Sequence, residues 1–365
     1  MSKRNENNFG KYGYDDFFNN QIGELKINEE DLIPARVTEV QKEQFGIIRS
    51  ETEKIARLKS SIFYSNKDIL YPTVGDFVLV KPNPSGDDII YYVFERKSKF
   101  SRLDSFNNVE QVVAANFDYI FIMTSLNKDF NIGRIERYLS TAYQSGGSPV
   151  IVLTKLDLCS DISLITDEIE LIAPGVPIVA ISSHTGEGME ELKKFITPGK
   201  TIVFLGSSGV GKSSLVNALN KEETMRVNEI RENDSKGKHT TTFRQLIILE
   251  NGCMVIDTPG MRELGMWDVE HGISAVFSEI EDVALNCKFR DCQHKNEPGC
   301  AVIKAIEDGI ISRDRWNSYV KLKKETEFAK RKEQTNAMLK EKARVKSIGK
   351  LQKEFNKNKK SRYDK

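Results

Sequence analysis

The stretch that decides the fold of this 365-residue chain runs Gly206-Ser207-Ser208-Gly209-Val210-Gly211-Lys212-Ser213-Ser214. It matches G-x-x-x-x-G-K-[ST] and follows the apolar run TIVFLG, as a phosphate-binding loop between a strand and a helix does. The glycines let backbone N–H groups face phosphate oxygens, and the positive end of the following helix points at them too. We expect Lys212 to neutralise the β- and γ-phosphates and Ser213 to join an Mg²⁺ shell. The alternative is an ordinary glycine turn.

Apolar, β-branched runs alternate with amphipathic segments around this loop. The runs are DYIFIMTSL, PVIVLTK, PIVAIS, TIVFLG and CMVIDTPG, and segments such as IGRIERYLSTAYQS separate most of them. The alternation predicts a parallel sheet with helices on both faces. Ligands of such sheets bind at the carboxyl ends of the strands, so the loops there are the candidate site.

A second motif addresses the base. Thr154-Lys155-Leu156-Asp157 follows the strand VIVL and matches [NT]-K-x-D. A carboxylate edge-on to guanine accepts from N1–H and from the amine at C2, whereas adenine offers neither donor. We expect the stem of Lys155 to cover the base. Alone, the tetrapeptide would rather indicate an exposed helix start; with the phosphate loop, it predicts a guanine nucleotide.

Two further strand ends extend the predicted site. Ile181-Ser182-Ser183 places the Ser183 N–H within reach of guanine O6, although a serine that caps the next helix explains it nearly as well. In Asp257-Thr258-Pro259-Gly260, we expect Asp257 to hold Mg²⁺ through water and the Gly260 N–H to sense the γ-phosphate.

The polar stretch Lys236-Gly237-Lys238-His239-Thr240-Thr241-Thr242 is the candidate switch. Thr241 is the expected switch ligand of the magnesium ion. Its neighbour His239 is our candidate for positioning the attacking water, and the alternative is an exposed loop histidine.

The motifs stand in a permuted order. Asp157 precedes Gly206 by 49 residues, whereas ordinary GTPases place the base motif last. A doubly wound sheet tolerates this because its termini can lie close together. The chain then runs from the γ-phosphate sensor almost directly into its carboxyl-terminal region, which a nucleotide-dependent shift at Gly260 could move.

Three of the five cysteines and one histidine fall within 14 residues, as Cys287-x₄-Cys292-x-His294-x₅-Cys300. Three thiolates and one imidazole make a closed tetrahedral shell for structural Zn²⁺. Reduced, unliganded cysteines are the alternative, and Cys159 and Cys253 are expected to be packing residues. Trp316 and Tyr319 are either helix-docking residues on this zinc site or ordinary core residues.

The amino-terminal third shows a different pattern. Residues 1–30 lack periodicity and are predicted to be mobile. Five short β-like runs then lie between Leu32 and Phe94, which suits a small closed barrel of OB type that binds nucleic acid or has a structural or protein-binding role. The basic connector Arg96–Arg102 is either an RNA contact or a solvated linker.

Charge is distributed unevenly. The formal net charge of +1 hides a basic tail, because residues 321–365 carry 17 Lys+Arg and 6 Asp+Glu, and residues 1–320 have a net charge of −10. Such a tail is either a nucleic-acid contact or a solvated helix face. With 39% hydrophobic residues, no apolar run of 18 residues and no signal peptide, the chain is expected to be a soluble, monomeric cytoplasmic protein without membrane partners.

The permuted series TKLD, GSSGVGKSS, KHTTT and DTPG, followed by the cysteine cluster and preceded by a five-stranded barrel, resembles the ribosome-small-subunit-dependent GTPases. These are circularly permuted bacterial GTPases of late small-subunit maturation. The resemblance covers about Leu32 to Val320. It implies an OB barrel and a zinc domain that grip ribosomal RNA on either side of the GTPase, GTP contacts at Thr154–Asp157 and Gly206–Ser214, and zinc ligands at Cys287, Cys292, His294 and Cys300.

Two positions depart from common patterns. Thr154 stands where many members carry Asn, which removes an amide able to brace the phosphate loop. Met261 follows Gly260 where many GTPases place a water-orienting Gln, so hydrolysis needs another polar group.

The resulting prediction is a multidomain chain: a mobile segment 1–30, an OB barrel 31–100, a permuted α/β GTPase domain 105–267, a zinc-knuckle and helical domain 268–330, and a basic tail 331–365. Its predicted function is GTP hydrolysis, with Zn and Mg as cofactors, stimulated by the small ribosomal subunit whose rRNA it binds. The alternatives are a GTP-switched module for a non-ribosomal RNA or protein, and a P-loop ATPase, against which Asp157 argues.

Overall fold

The computed structural model describes residues 9–25, 31–41, 43–49, 51–63, 70–103, 110–127, 130–220, 244–257 and 269–331, with isolated helical positions up to 346. The predicted switch residues His239 and Thr241, the segment Thr258–Gly260 with Met261, and most of the basic tail lie outside these residues. Among the described residues, no helix combines the length and apolar character needed to cross a membrane.

An ordered aromatic segment precedes the barrel. A 3₁₀ turn over Gly10–Tyr12 leads into helix α1, Asp16–Glu24, whose first turn is capped by the Asp15 carboxylate. Phe9, Tyr12, Tyr14 and Phe18 are buried, and Phe18 packs 4.3 Å, centroid to centroid, from Phe77. The prediction of a mobile segment is therefore wrong for residues 9–25, because these aromatic side chains have irregular spacing yet bury themselves against the barrel.

Five strands close into a barrel, as predicted: β1 Ile33–Gln41, β2 Gln44–Arg49, β3 Thr52–Leu58, β4 Phe77–Lys81 and β5 Asp88–Val93, with a short helix α2, Ser60–Phe63, after β3. The strand order is β1-β2-β3-β5-β4, and β4 pairs back onto β1 to close the ring. All pairs are antiparallel except β3 with β5. Alternate residues such as Val37, Ile47 and Val78 fill the interior.

The basic connector is part of the folded structure and is not a solvated linker. It enters strand β6, Lys99–Leu103, which pairs with β7, Glu110–Ala115. Arg96 forms a buried ion pair with Asp76 at 2.7 Å, between Nη2 and Oδ2. Lys97 pairs with Asp15, and Lys99 with Glu110. The sequence showed the positive charges but not their acidic partners, which come from other segments.

The central sheet contains β8 Tyr119–Ser125, β9 Ser148–Thr154, β10 Ile178–Ile181, β11 Thr201–Gly206, β12 Gln245–Ile248 and β13 Met254–Asp257. The order is β10-β9-β8-β11-β13-β12. Five of these strands are parallel, as the apolar runs predicted, whereas β12 is antiparallel to β13. The intervening helices are α3 Ile132–Ser145, α4 Ser163–Ile172, α5 Met189–Leu192 and α6 Lys212–Asn220.

A buried arginine joins the barrel to this sheet. Arg36 of β1 donates to the carbonyl oxygens of Gly75, at 3.3 Å, and Asn116, at 2.9 Å, and to that of Tyr12 in the amino-terminal segment. Burial lowers the pKa of Arg36 to about 10, which still leaves it charged at neutral pH. Removal of this side chain would take its donors from the Tyr12 and Asn116 carbonyls, whereas the Gly75 carbonyl would keep the Asn116 amide as a donor at 3.3 Å, so Arg36 holds three segments together.

The carboxyl-terminal helices pack on the outside of the central sheet. They are α7 Glu270–Val276, α8 Ser278–Ala284, α9 Ala301–Glu307 and α10 over residues 313–331. Helix α7 lies so close to α3 that a Cβ atom at Gly272 would be 1.8 Å from the Ser140 oxygen. Arg315 of α10 donates to the buried carboxylate of Glu136 on α3 at 2.7 Å. These contacts join α7 and α10 to helix α3 of the GTPase region.

Candidate nucleotide and metal sites

The parallel register brings the predicted motifs to one edge of the sheet. Thr154 is paired with Ser125 and with Ile181, and Gly206 is paired with Met123. The base motif, the serine pair and the phosphate loop therefore begin at neighbouring strand ends, although Gly206 follows Thr154 by 52 residues in the chain.

The phosphate loop needs its glycines. Gly209 and Gly211 have φ of +69° and +102°, a region that side chains disfavour. A Cβ atom at Gly206 would lie 2.8 Å from the carbonyl oxygen of Met123. Between them Val210 is buried, and α6 begins at Lys212. The pattern in the sequence thus corresponds to a tight turn from β11 into the helix.

Lys212 closes this turn on itself. Its Nζ donates to the carbonyl oxygens of Gly206, at 2.7 Å, and Ser207, at 2.9 Å. Asp257, at the end of β13, is half-buried, and burial raises its pKa while the charge of Lys212 opposes the rise. The loop therefore surrounds the ammonium group of Lys212, and the carboxylate of Asp257 on the neighbouring strand interacts electrostatically with that group.

Thr154 braces the phosphate loop, contrary to the expectation that the missing Asn amide leaves the brace out. The buried Thr154 hydroxyl donates to the carbonyl oxygen of Val210 at 2.7 Å. This bond joins two segments 56 residues apart in the chain. A hydroxyl is shorter than an amide, but the neighbouring strand ends bring the two groups within its reach.

Asp157 is held in place by the third motif. Ser182 donates its hydroxyl hydrogen to Asp157 Oδ1 at 2.6 Å, and this hydrogen bond is the main cause that lowers the pKa of Asp157. Ser182 Oγ accepts in turn from the backbone N–H groups of His184 and Thr185, at 3.2 and 3.1 Å. The carboxylate is thus ionised and oriented.

The base motif itself bends sharply. Lys155 has a left-handed backbone, with φ of +62°, and Leu156–Leu158 form a 3₁₀ turn.

The next helix after the serine pair, α5, begins at Met189 behind Gly188 and has no side-chain cap. The helix-cap alternative for the serines is therefore wrong.

The side-chain role of Ser182 escaped the sequence analysis, which looked to the backbone of Ser183. The available signal was a serine directly after an apolar parallel strand, a position where the side chain is buried and its hydroxyl requires a partner. The partner, Asp157, lies 25 residues away, and only the strand order identifies it.

The cysteine cluster forms a compact group of donor atoms. The ligand atoms of Cys287, Cys292, His294 and Cys300 all lie within 4.8 Å of one another. His294 Nδ1 is 3.5 Å from Cys287 Sγ and 3.4 Å from Cys300 Sγ, and these two sulfur atoms are 3.9 Å apart. A tetrahedral zinc ion with ordinary bond lengths requires S···S near ~3.8 Å and S···N near ~3.5 Å. The donor set and its spacing both fit zinc.

Helix α10 docks on this cluster. The Trp316 ring meets the His294 ring edge-to-face, with centroids 5.8 Å apart, and Tyr319 packs against Trp316. Burial lowers the pKa of His294, which favours the neutral imidazole that binds metals. Trp316 therefore docks on the cluster as one interpretation predicted, whereas Tyr319 is buried in the core as the other predicted.

Comparisons with known proteins agree with this geometry. A family model described as RsgA GTPase matches residues 93–267. A curated relative from Listeria monocytogenes serotype 4b (strain F2365), named "Small ribosomal subunit biogenesis GTPase RsgA 2", is 43% identical over 340 residues, which cover 93% of this chain and 95% of the relative. This chain belongs to the RsgA GTPase family. The resemblance predicted from the permuted motifs is confirmed.

Other relatives support the same assignment. An RsgA from Methanosarcina acetivorans, also named a small ribosomal subunit biogenesis GTPase, is 43% identical over 76% of each chain. The crystal structure of YjeQ from Thermotoga maritima is 31% identical, with a TM-score of 0.61, covering 80% of this chain and 97% of that one. YloQ, titled a circularly permuted GTPase, shares the fold with a TM-score of 0.57 at 24% identity, covering 81% and 96%. This RsgA-family chain is a circularly permuted GTPase, and hence a GTP hydrolase.

Proposed function

We propose that this chain hydrolyses GTP in the late maturation of the small ribosomal subunit, binds the subunit and its rRNA, and is stimulated by it. The observation that carries the proposal is the oriented Asp157 carboxylate beside a complete phosphate loop, in a chain whose relatives are named for small-subunit biogenesis. A ribosome-assembly role implies action in the cytoplasm, and we propose a monomer.

The geometry supports a set of proposed nucleotide contacts. The Asp157 carboxylate, oriented by Ser182, accepts from guanine, while Lys155 covers the base. The serine pair supplies a further donor through the Ser183 N–H. The remaining proposed contacts to GTP are Thr154, Leu156, Ser182, Gly206, Ser207, Ser208, Gly209, Val210, Gly211, Lys212, Ser213, Ser214, Asp257 and Gly260.

Hydrolysis uses charge and orientation at the other end of the nucleotide. Lys212 stabilises the charge that develops on the transferred phosphoryl group. Ser213, Asp257 and Thr241 would hold a magnesium ion, which supplies charge neutralisation between the β- and γ-phosphates. His239 is proposed to orient the attacking water, since Met261 cannot.

We propose that the cysteine cluster holds one structural zinc ion. The support is the tetrahedral spacing of three sulfur atoms and one nitrogen, with four protein ligands and no position for water. The metal would fix the loop from Cys287 to Cys300 against Trp316 of helix α10.

We propose an OB fold for the barrel. Its strand order β1-β2-β3-β5-β4, the parallel β3–β5 pair and the helix after β3 support this topology. The proposed division is a barrel at 31–100, a GTPase domain at 105–267, a zinc and helical domain at 268–330 and a basic tail at 331–365. The barrel and the zinc domain would contact rRNA on either side of the GTPase.

Cosedimentation tests the proposal. Purified small subunits are centrifuged with the full-length chain in GTP or GDP over a series of salt concentrations, with large subunits as the control. We expect binding to small subunits that depends on the nucleotide and weakens with salt, because phosphate contacts release counterions. If the chain does not bind small subunits, or binds them equally in GTP and GDP, a GTP-switched module for another RNA or protein would be favoured.

A further inference from the structure

One surface of the GTPase is apolar and acidic at once. Helix α4 turns Ile165, Ile169 and Ile172 toward the core. Its outer side carries Leu164 and Leu171, which are 80% and 82% exposed. Seven residues separate these leucines, so they lie on one side of the helix.

Acidic side chains fill the space between the two leucines. Asp167 and Glu168 lie three and four residues after Leu164 and are exposed. We call Leu164, Asp167, Glu168 and Leu171 the α4 face.

The charge of this region is unusually one-sided. Residues 156–172 contain five acidic side chains and no Lys, Arg or His. Phosphate groups repel such a surface, and binding to RNA requires the opposite charge. By contrast, the exposed Phe289 near the cysteine cluster has Lys288 and Arg290 beside it, which suits a nucleic acid.

We propose that the α4 face docks a basic protein of the small subunit, through lysine and arginine side chains that surround an apolar contact. Any protein that neutralises rRNA phosphates is itself rich in these residues. On an rRNA particle, the charge complement of an acidic, apolar surface is therefore such a protein and not the RNA. This inference rests on the proposed function, because it names the kind of partner met on the subunit.

The α4 face follows the base motif closely in the chain. Helix α4 begins at Ser163, and the 3₁₀ turn that contains Asp157 ends at Leu158, so four residues separate the two elements. A protein docked on α4 therefore contacts the segment that directly follows the carboxylate that Ser182 orients.

Site-specific photocrosslinking tests the inference in the complete complex. Benzoylphenylalanine replaces Leu164 or Leu171 in the full chain, which is bound to purified small subunits with GTP and irradiated. Ile248, an exposed residue of strand β12, is the control position. We expect crosslinks from α4 to a ribosomal protein and none at Ile248. Crosslinks from α4 to rRNA, none at all, or equal labelling at Ile248 would overturn the proposal.

Affinity measurements give a second readout. The double variant Leu164→Asp/Leu171→Asp should lower small-subunit affinity at least about 10-fold, while basal GTPase activity and GDP affinity stay unchanged, since both side chains face solvent. The charge reversal Asp167→Lys/Glu168→Lys should lower it as well. If the wild type cosediments and both variants match it, the α4 proposal fails and the proposed function stands. If the wild type does not cosediment, both fail.

Discussion

The two ends of the nucleotide site are held together by different means. At the base end, Asp157 is oriented by the Ser182 hydroxyl, and Ser182 by two backbone N–H groups. At the phosphate end, the Lys212 cation itself ties two carbonyl groups of the loop together. Orientation and charge are thus separate at the base end, whereas at the phosphate end one side chain supplies both.

The difference predicts unequal sensitivity to substitution. A change at the base end can remove orientation and leave the charge in place, while the loss of Lys212 removes the charge and the loop geometry at once. The Thr154–Val210 hydrogen bond is the link between the ends.

The largest effect is expected for Lys212→Ala. Without the cation, the phosphate charge has no counterpart and the Gly206 and Ser207 carbonyls lose their donor. We expect kcat/KM for GTP to fall more than about 100-fold, measured as phosphate release. Lys193→Ala, at an exposed position, is the control. Retained activity in Lys212→Ala would exclude this loop as the phosphate site.

Asp157→Asn should have the second-largest effect, and it should change the specificity for the nucleotide base. The amide N–H₂ cannot accept from guanine, but it can donate to the C2 carbonyl of xanthine. We expect GTP affinity to fall about 100-fold and xanthosine triphosphate affinity to rise, measured by competition with a fluorescent nucleotide. Asp161→Asn, nearby and exposed, should change neither. An unchanged preference for GTP would show that Asp157 does not contact the base.

Ser182→Ala should have a smaller effect. The carboxylate keeps its charge but loses its orienting hydrogen bond, and the pKa of Asp157 should move back up toward its ordinary value. We expect GDP affinity to fall about 10-fold with kcat nearly unchanged, since a hydrogen bond to a charged group is worth about 1.5–3 kcal/mol. Ser183→Ala is the matched control, because its proposed contact is through the backbone. Equal losses in the two variants would argue against the orienting role.

The link between the ends can be tested with Thr154→Val and Thr154→Ser. Valine leaves the buried Val210 carbonyl unpaired, which should cost about 1–3 kcal/mol in the free energy of unfolding. Serine keeps the hydroxyl and should retain most of that stability. Chemical denaturation measures both, and a valine variant as stable as the serine variant would remove the brace from this account.

The smallest effect on either end should follow disruption of the cysteine cluster. We expect Cys300→Ser, or treatment with a zinc chelator, to release a bound zinc ion and to weaken small-subunit binding while GDP affinity changes less than about twofold. Metal analysis and cosedimentation measure the first two quantities. Cys159→Ser is the control, and a large fall in GDP affinity would mean that the cluster supports the nucleotide site directly.

Much of this architecture was predictable, for identifiable reasons. Continuous apolar runs predicted the parallel strands. The phosphate loop could be predicted because residues 206–214 form one contiguous sequence motif. Strand β12 was missed because Gln245–Ile248 has only four residues, and its position between β13 and β1 depends on segments that are distant in sequence. The partners of Arg96, Thr154 and Asp157 come from distant segments, and only the strand order brings them together.

The most direct test of the central claim is GTP hydrolysis by the full-length chain with and without purified small ribosomal subunits. Large subunits and the Lys212→Ala variant serve as controls for specificity and for contaminating activity. We predict that small subunits raise kcat at least about 10-fold and that neither control shows this rise. Equal rates with and without small subunits would contradict the account of a subunit-stimulated GTPase.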